Sequence, residues 1–122
     1  MIPKFRAWDR KLNEMYLSDE VVVQIKGQDV LVALEDSLHQ IQDFSLMLST
    51  GLYAKYQTEV FEGDIVQDAL DNEYGVIRIE EAQAVVDWGG YTHPLFEDVD
   101  TLEVFGNVYE NQDLLGESEN EN

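Results

Sequence analysis

Gly75-Val76-Ile77-Arg78-Ile79-Glu80 and Ala82-Gln83-Ala84-Val85-Val86-Asp87-Trp88 are the stretches that decide the fold class. In both runs apolar and polar side chains alternate, the period of two that sends successive side chains to opposite faces of a strand. Val and Ile supply much of the apolar set, and their branched Cβ atoms suit a pleated surface. The runs are expected to pair with each other, and Gly89-Gly90 ends the second of them.

Strand signals continue in both directions from that pair. Upstream, Val60-Phe61 and Ile65-Val66 flank Glu62-Gly63-Asp64, where glycine can take the positive φ of a tight turn or bulge. Ser49-Thr50-Gly51-Leu52 carries a turn signal. Between Glu35 and Leu48, Leu38, Ile41 and Phe44 fit a helical turn, whereas Phe44, Leu46 and Leu48 alternate as in a strand. A short turn leading into a strand satisfies both. Val21 to Ile25 meets Val30 to Leu34 across Lys26-Gly27-Gln28-Asp29, a hairpin pattern. The first residues suggest a strand around Phe5 to Trp8, a connection at Asp9 to Asn13, and a returning strand at Met15-Tyr16-Leu17. Downstream, a last strand is expected from Leu102 to Tyr109 with a kink near Gly106, then one helical turn at Asn111 to Leu115. The fold class that follows is all-β or mainly β, a compact twisted sheet or partly closed barrel with one or two short helical turns.

At 122 residues, 44% hydrophobic and with thirteen aromatics along it, the chain has the means for an ordered core, and one domain over residues 1–115 is the expectation. Residues 116–122 bring Glu117, Glu119 and Glu121 with no apolar residue, the pattern of an acidic, flexible tail. There is no cysteine, so thiolate nucleophiles, disulfides and cysteine-ligated metals are excluded together. Neither a signal-peptide core at Met1-Ile2-Pro3-Lys4 nor a run of roughly 20 apolar residues is present, so a cytoplasmic protein with no membrane partner is expected.

The net charge of −19 is unevenly spread. Residues 1–55 hold six of the seven Lys/Arg and eight acids, a net of −2, while residues 56–122 hold Arg78 alone against eighteen acids, a net of −17. Phosphate binding depends on Lys and Arg releasing counterions, so direct contact with nucleic acid is not expected. The partners such a surface attracts are basic proteins, divalent cations and protein surfaces that ordinarily hold nucleic acid. The plainer reading is solubility and self-repulsion.

Three segments carry a family resemblance. Lys4-Phe5-Arg6-Ala7-Trp8-Asp9, then Leu46-Met47-Leu48-Ser49-Thr50-Gly51-Leu52 leading to Val60-Phe61-Glu62-Gly63-Asp64-Ile65-Val66, then Val104-Phe105-Gly106-Asn107-Val108-Tyr109-Glu110-Asn111 with Leu114-Leu115 resemble the YopX family in content, order and spacing. The resemblance spans residues 4–115 and implies a predominantly β structure and a bacteriophage or prophage setting, within the cytoplasm of a bacterial host. It transfers no catalytic residues, because the family has no settled biochemical function. The loop Tyr53 to Thr58 departs from relatives by lacking a glycine-containing, more basic linker, and Gln112 stands where they often have proline.

Candidate chemistry is sparse. His39 and His93 are the only histidines, neither with a second at ligand spacing, and both are expected to be ordinary surface or turn residues. No G-x-S-x-G elbow, P-loop or G-x-G-x-x-G occurs, so no catalytic residue and no cofactor are assigned. Glu97-Asp98-x-Asp100-x-x-Glu103 is the densest acidic cluster, but its spacing is not that of a calcium loop, and a solvated loop is the simpler account. Trp88, Tyr91 and Phe96 around Gly89-Gly90 are candidates for an exposed binding patch, with core packing as the competing account. Arg6 is expected to pair with Glu62 or Asp64, with Trp8 covering the pair or filling the core.

Two functions of different class remain. One is a non-enzymatic accessory protein that engages a basic host or phage protein through its acidic half, in its sharper form by imitating nucleic acid, and that can assemble as a homo-oligomer. The other is a carboxylate-based, metal-dependent enzyme; a purely structural oligomer component is a further variant.

Overall fold

The computed structural model describes residues 4–26, 29–34, 37–40 and 43–115. The chain divides into two compact units, residues 1–49 and residues 50–122. Among the described residues the class is mainly β, with short 3₁₀ turns and one short helical turn.

The first unit contains β1 (Phe5–Asp9), β2 (Glu14–Tyr16), β3 (Val22–Lys26), β4 (Asp29–Leu34), β5 (Ser37–Gln40) and the start of β6 (Phe44–Ala54). β1 lies antiparallel between β2 and β6, with Ala7 opposite Tyr16 on one side and Leu46 on the other. The β1–β2 connection is built by Asp9, whose Oδ1 accepts the backbone N–H of Lys11 at 2.9 Å and of Leu12 at 3.1 Å. Asn13 then closes the turn at φ 56°, a conformation that Asn tolerates better than most side chains. Arg10 Nη1 ties the turn to β6 through the Phe44 carbonyl at 2.7 Å and Ser45 Oγ at 2.9 Å. Ala7, Val32 and Phe44 form the buried core of this unit, with Tyr16, Val21, Leu34 and Leu46 packed on it.

The β3–β4 hairpin has the expected partners, Val23 opposite Val32 and Ile25 opposite Val30. Around Leu38 the expected helical turn is replaced by β5, paired with β4 so that Leu38 lies opposite Ala33. An open strand edge satisfies the backbone polar groups of a whole segment, whereas a single helical turn leaves most of them unbonded. The turn signal at Ser49-Thr50-Gly51-Leu52 is also overridden, because β6 runs through it to Ala54. Gly51 absorbs the irregularity at φ 76°. Thr50 Oγ1 donates to the Val60 carbonyl at 2.8 Å and accepts the Leu52 N–H at 3.1 Å.

The second unit continues β6 and adds β7 (Thr58–Phe61), β8 (Asp64–Asp68), β9 (Tyr74–Glu80), β10 (Gln83–Asp87), β11 (Thr92–Pro94) and β12 (Leu102–Asn107). Five of these form one antiparallel sheet in the order β11-β10-β9-β8-β12. Strands β9 and β10, the pair on which the sequence argument rests, meet with Arg78 opposite Val85 and Glu80 opposite Gln83. β11 is an addition: His93 and Pro94 lie in a strand, where a loop is the sequence expectation. Its position at the sheet edge accommodates Pro94, which has no N–H to give. β12 carries the expected kink as a register shift between Val104 and Gly106, and residues 113–115 make the short helical turn. The core of this unit is Ala54, Val60, Val66, Ile77, Val86, Leu95 and Leu102. The acidic tail, residues 116–122, lies outside the described residues.

Two connections take left-handed backbone at a pair of residues that are neither glycine nor asparagine. Tyr56 and Gln57, in the loop between β6 (Phe44–Ala54) and Thr58, sit at φ 64° and 57°, and Glu81 and Ala82 in the two-residue β9–β10 turn sit at φ 50° and 64°. That pair of angles suits the twist of a hairpin but favours Asn-Gly over Glu-Ala. Ala82→Gly is therefore expected to stabilise the protein by ~1 kcal/mol, read as a rise of several degrees in the thermal midpoint; an unchanged or lower midpoint would show that this turn carries no strain.

Candidate functional site

The registers of the five-stranded sheet bring three connections to one end. Gln67 lies opposite Tyr74 and Val76 opposite Asp87, so the segments 69–73 and 88–91 emerge there, and segment 95–101, which leaves β11 after Pro94 opposite Val85, arrives there at Leu102 opposite Asp68. Each is shaped by a carboxylate or a glycine. Asp68 Oδ1 accepts the Leu70 N–H at 2.9 Å, Asp87 Oδ1 accepts the Gly89 N–H at 2.8 Å, and Gly89 at φ 100° lets Trp88 N–H reach the Tyr91 carbonyl at 3.0 Å. Two short 3₁₀ turns, Leu95–Glu97 and Val99–Thr101, form the third connection. Leu95 anchors it in the core while Phe96 points outward.

Among the acids at this end, large apolar side chains stand in solvent: Leu70 is 90% exposed, Tyr91 59% and Phe96 61%. Desolvation raises the pKa of the Tyr91 hydroxyl, and the negative fields of Glu73, Asp71, Asp68 and Asp98 raise it further. Those four carboxylates thus surround one exposed phenol. Glu97 and Asp100 are exposed beside them, and Glu103 lies on β12 opposite Gln67.

Trp88 belongs partly to the core. Its ring packs against the buried cluster of the second unit and lies over Gly75, where an added Cβ would come within 2.7 Å of Val86 Cγ1 and 3.0 Å of Trp88 Cε3. Its indole Nε1–H donates to His93 Nδ1 at 3.2 Å, and His93 Nε2 lies 3.0 Å and 3.1 Å from the two carboxylate oxygens of Asp98. An indole N–H can only donate, so Nδ1 must present its lone pair and the ring proton sits on Nε2, facing Asp98. Both nitrogens are thereby engaged within the fold.

Sequence reasoning placed Trp88, Tyr91, Phe96, Glu97, Asp98, Asp100 and Glu103 in one neighbourhood, and all of them except Glu103 lie in its three connections or at their margins. It missed His93 as the link between Trp88 and Asp98. The signal was available only once β11 was known, because the β10–β11 turn is what brings residues 88 and 93 side by side. It also missed Asp68, Leu70, Asp71 and Glu73, which the β8–β9 turn delivers from farther along the chain.

Arg6 lies on β1 in the first unit, its Nη2 donating to Met47 Sδ at 3.3 Å. Glu62 and Asp64 belong to the second unit. There Gly63 sits at φ 87° and Asp64, 1% exposed, accepts the Phe61 N–H at 2.8 Å on Oδ2, so these residues build a turn. Trp8 is buried. The side chain of His39 lies outside the described residues. Among the described residues, no three His, Asp or Glu side chains come together in a way that could hold a metal ion, and no helix is long and apolar enough to cross a membrane.

The family described as "YopX protein" matches residues 4–116, which takes in both units and every strand. The chain belongs to the YopX family. Its fold is similar to that of protein EF1440 from Enterococcus faecalis, at 24% identity and a TM-score of 0.68 over 94% of this chain and 99% of that one. It is also similar to protein yopX from Bacillus subtilis, at 20% identity and a TM-score of 0.67 over 92% and 95% of the two chains. No curated protein matches it. The YopX motifs of the middle and the end interlock in this structure: Asp64 pairs with Asn107 across β8 and β12, and Val108 N–H donates to the Gly63 carbonyl at 2.9 Å.

Since Gly75 makes room for Trp88, Gly75→Ala in this YopX protein is expected to cost ~1–3 kcal/mol and to displace the indole. Urea unfolding would show the loss, and a shift of tryptophan emission in the folded protein would show the displacement. Wild-type stability with unchanged emission would mean that the indole does not depend on this gap.

Proposed function

We propose that this YopX-family chain is a non-enzymatic accessory protein of a phage or prophage that acts by binding a basic protein through the acidic end of its second unit. The observation that carries this reading is that Asp71, Glu73, Glu97 and Asp100 share with the exposed Leu70, Tyr91 and Phe96 the three connections of this end, none of which contains a Lys or Arg. Arg78, the sole cation after residue 55, is held on the sheet by Glu80 and Asp87, each at 3.3 Å. Other connections of the sheet are acidic too, at Glu62, Glu80 and Glu81; what sets this end apart is the apolar surface among the charges. Carboxylates draw a basic partner in and fix its approach, while desolvated aromatics supply the contact area that holds it. In the sharper form of the proposal the partner is a protein that ordinarily holds nucleic acid, and the carboxylates take the place of phosphates.

The test is affinity capture of the partner from a phage-infected host lysate at low salt, followed by titration of the purified complex. The complex is expected to weaken steeply as salt rises, to lose about tenfold or more in affinity when Glu97→Gln, Asp100→Asn and Asp71→Asn are combined, and to be displaced by free DNA. A complex indifferent to salt and to these substitutions would overturn the electrostatic reading; one that responds to both but not to DNA would leave basic-protein binding and remove the imitation of nucleic acid.

A further inference from the structure

The hydrogen-bonded chain from Trp88 through His93 to Asp98 is not used by the binding reading, and its polarity has a consequence. Trp88 Nε1–H donates to His93 Nδ1 at 3.2 Å and His93 Nε2–H faces Asp98 at 3.0 Å, an arrangement that only the neutral ring protonated at Nε2 can make. The planes of the two rings are within 14° of parallel, with centroids 6.1 Å apart. A proton arriving on Nδ1 would turn that acceptor into a donor and set two N–H groups against each other. The bond to Asp98 would survive and strengthen, because the imidazolium keeps its Nε2–H and gains charge opposite the carboxylate.

We propose that His93 is an acid-sensitive latch that holds the 88–91 connection while neutral and releases Trp88 when protonated. In the releasing step a proton from solvent bonds to Nδ1, the Trp88 Nε1–H···Nδ1 hydrogen bond breaks, and no other bond changes. The connection that would move is short and hinged: Trp88 N–H is bonded to the Tyr91 carbonyl at 3.0 Å, Gly89 already occupies φ 100°, and nothing stands within 4 Å of the Cβ positions of Gly89 and Gly90. Tyr91, displayed by the same connection, would move with it. The ring has Asp98 in contact with Nε2 and the Trp88 donor on Nδ1, and it is 23% exposed. Asp87 lies opposite Thr92 on β10, with Arg78 of β9 bonded to it at 3.3 Å, and Glu97 belongs to the 3₁₀ turn that follows Pro94. Asp68, Asp71 and Glu73 act on Tyr91 in the connection that the latch holds.

The latch is tested by following the His93 ring nitrogens and the Trp88 indole N–H by NMR in the wild-type protein across an acid titration, with Trp88→Phe identifying the indole signal. Above the titration the His93 ring is expected as the Nε2–H form. As His93 takes up its proton, the Trp88 indole signal is expected to move in step with it, and its exchange with solvent to quicken about tenfold relative to His93→Asn at the same pH. His93→Asn keeps an acceptor near the Nδ1 position that cannot be protonated, so in that variant the indole signal should hold still over the same range. An Nδ1–H form at neutral pH, or an indole signal that ignores the titration of His93, would overturn the proposal. So would a His93→Asn protein whose indole moves as the wild type's does. The readout needs no binding partner, so its outcome is separate from that of the acidic-surface reading.

Discussion

The backbone of Gly63 is the junction on which the second unit depends. Its N–H donates to the Ile77 carbonyl at 2.8 Å, and its own carbonyl accepts the Val108 N–H at 2.9 Å, so one residue at φ 87° bonds both to β9 and to the chain leaving β12. A side chain is disfavoured there by the angle, and the turn is made firm by Asp64, buried with its Oδ2 on the Phe61 N–H. Asn107 does the matching work at the other side. Buried, it accepts the N–H groups of Tyr109 and Glu110 at 3.0 Å and 2.9 Å on Oδ1 and donates Nδ2–H to Glu110 Oε1 at 2.8 Å. Gly106 keeps this corner closed, because a Cβ there would collide with the Asn111 side chain, whose Oδ1 accepts the Asn107 N–H at 3.1 Å. The family motifs around residues 62–65 and 106–111 therefore form a backbone joint made of turns.

This explains which parts of the molecule were legible in the amino-acid sequence. The alternation in residues 75–80 and 82–88, the hairpin of β3 and β4, the tight turn at Gly63 and the kink at Gly106 were all visible, because each rests on a local rule of side-chain period or glycine geometry. The misreadings have a common cause. At Thr50-Gly51 and at His93-Pro94 the local signals favour a turn, and a neighbouring strand overrides them by offering partners: Val60 to Thr50, and β10 to the short edge strand β11. Leu38 shows the same effect, taken from a helical turn into β5 by the open edge of β4. The candidate site was half legible for the same reason. Its residues from 88 to 103 were close in sequence, whereas Asp68, Leu70, Asp71 and Glu73 were delivered by sheet register, which no local pattern states.

The left-handed positions follow the same logic from the side of cost. Tyr56, Gln57, Glu81 and Ala82 hold angles that glycine takes freely and that other side chains resist by about 1–2 kcal/mol each. They persist because the strands they connect fix the ends of each turn. In the β9–β10 hairpin the strands are also where Ile77, Val85 and Val86 are buried, so hydrophobic packing on one side of the turn offsets strain within it. In the loop at Tyr56 and Gln57 the backbone path is likewise set by β6 and β7 at its two ends.

The same sheet decides where the charge goes. In β9 the buried Ile77 alternates with Arg78 and Glu80, and seven other acids of the second unit, among them Asp71, Glu73, Glu97 and Asp100, fall in connections between strands, where a carboxylate stays hydrated. Three of these connections meet at one end of the sheet, so the fold gathers like charges that the sequence spreads over some thirty-five positions from Asp68 to Glu103. Bringing them together costs repulsion, which water and salt screen over about 10 Å. The Asx-type bonds of Asp68 and Asp87 to nearby backbone, and the hold of Asp98 on His93, offset part of that cost. Glu73, Glu97 and Asp100 have no such employment in the fold, and the aromatic rings beside them remain in water. Charges that the fold does not use for itself, set beside apolar surface that it does not bury, are a better guide to an interface than the total charge of the chain.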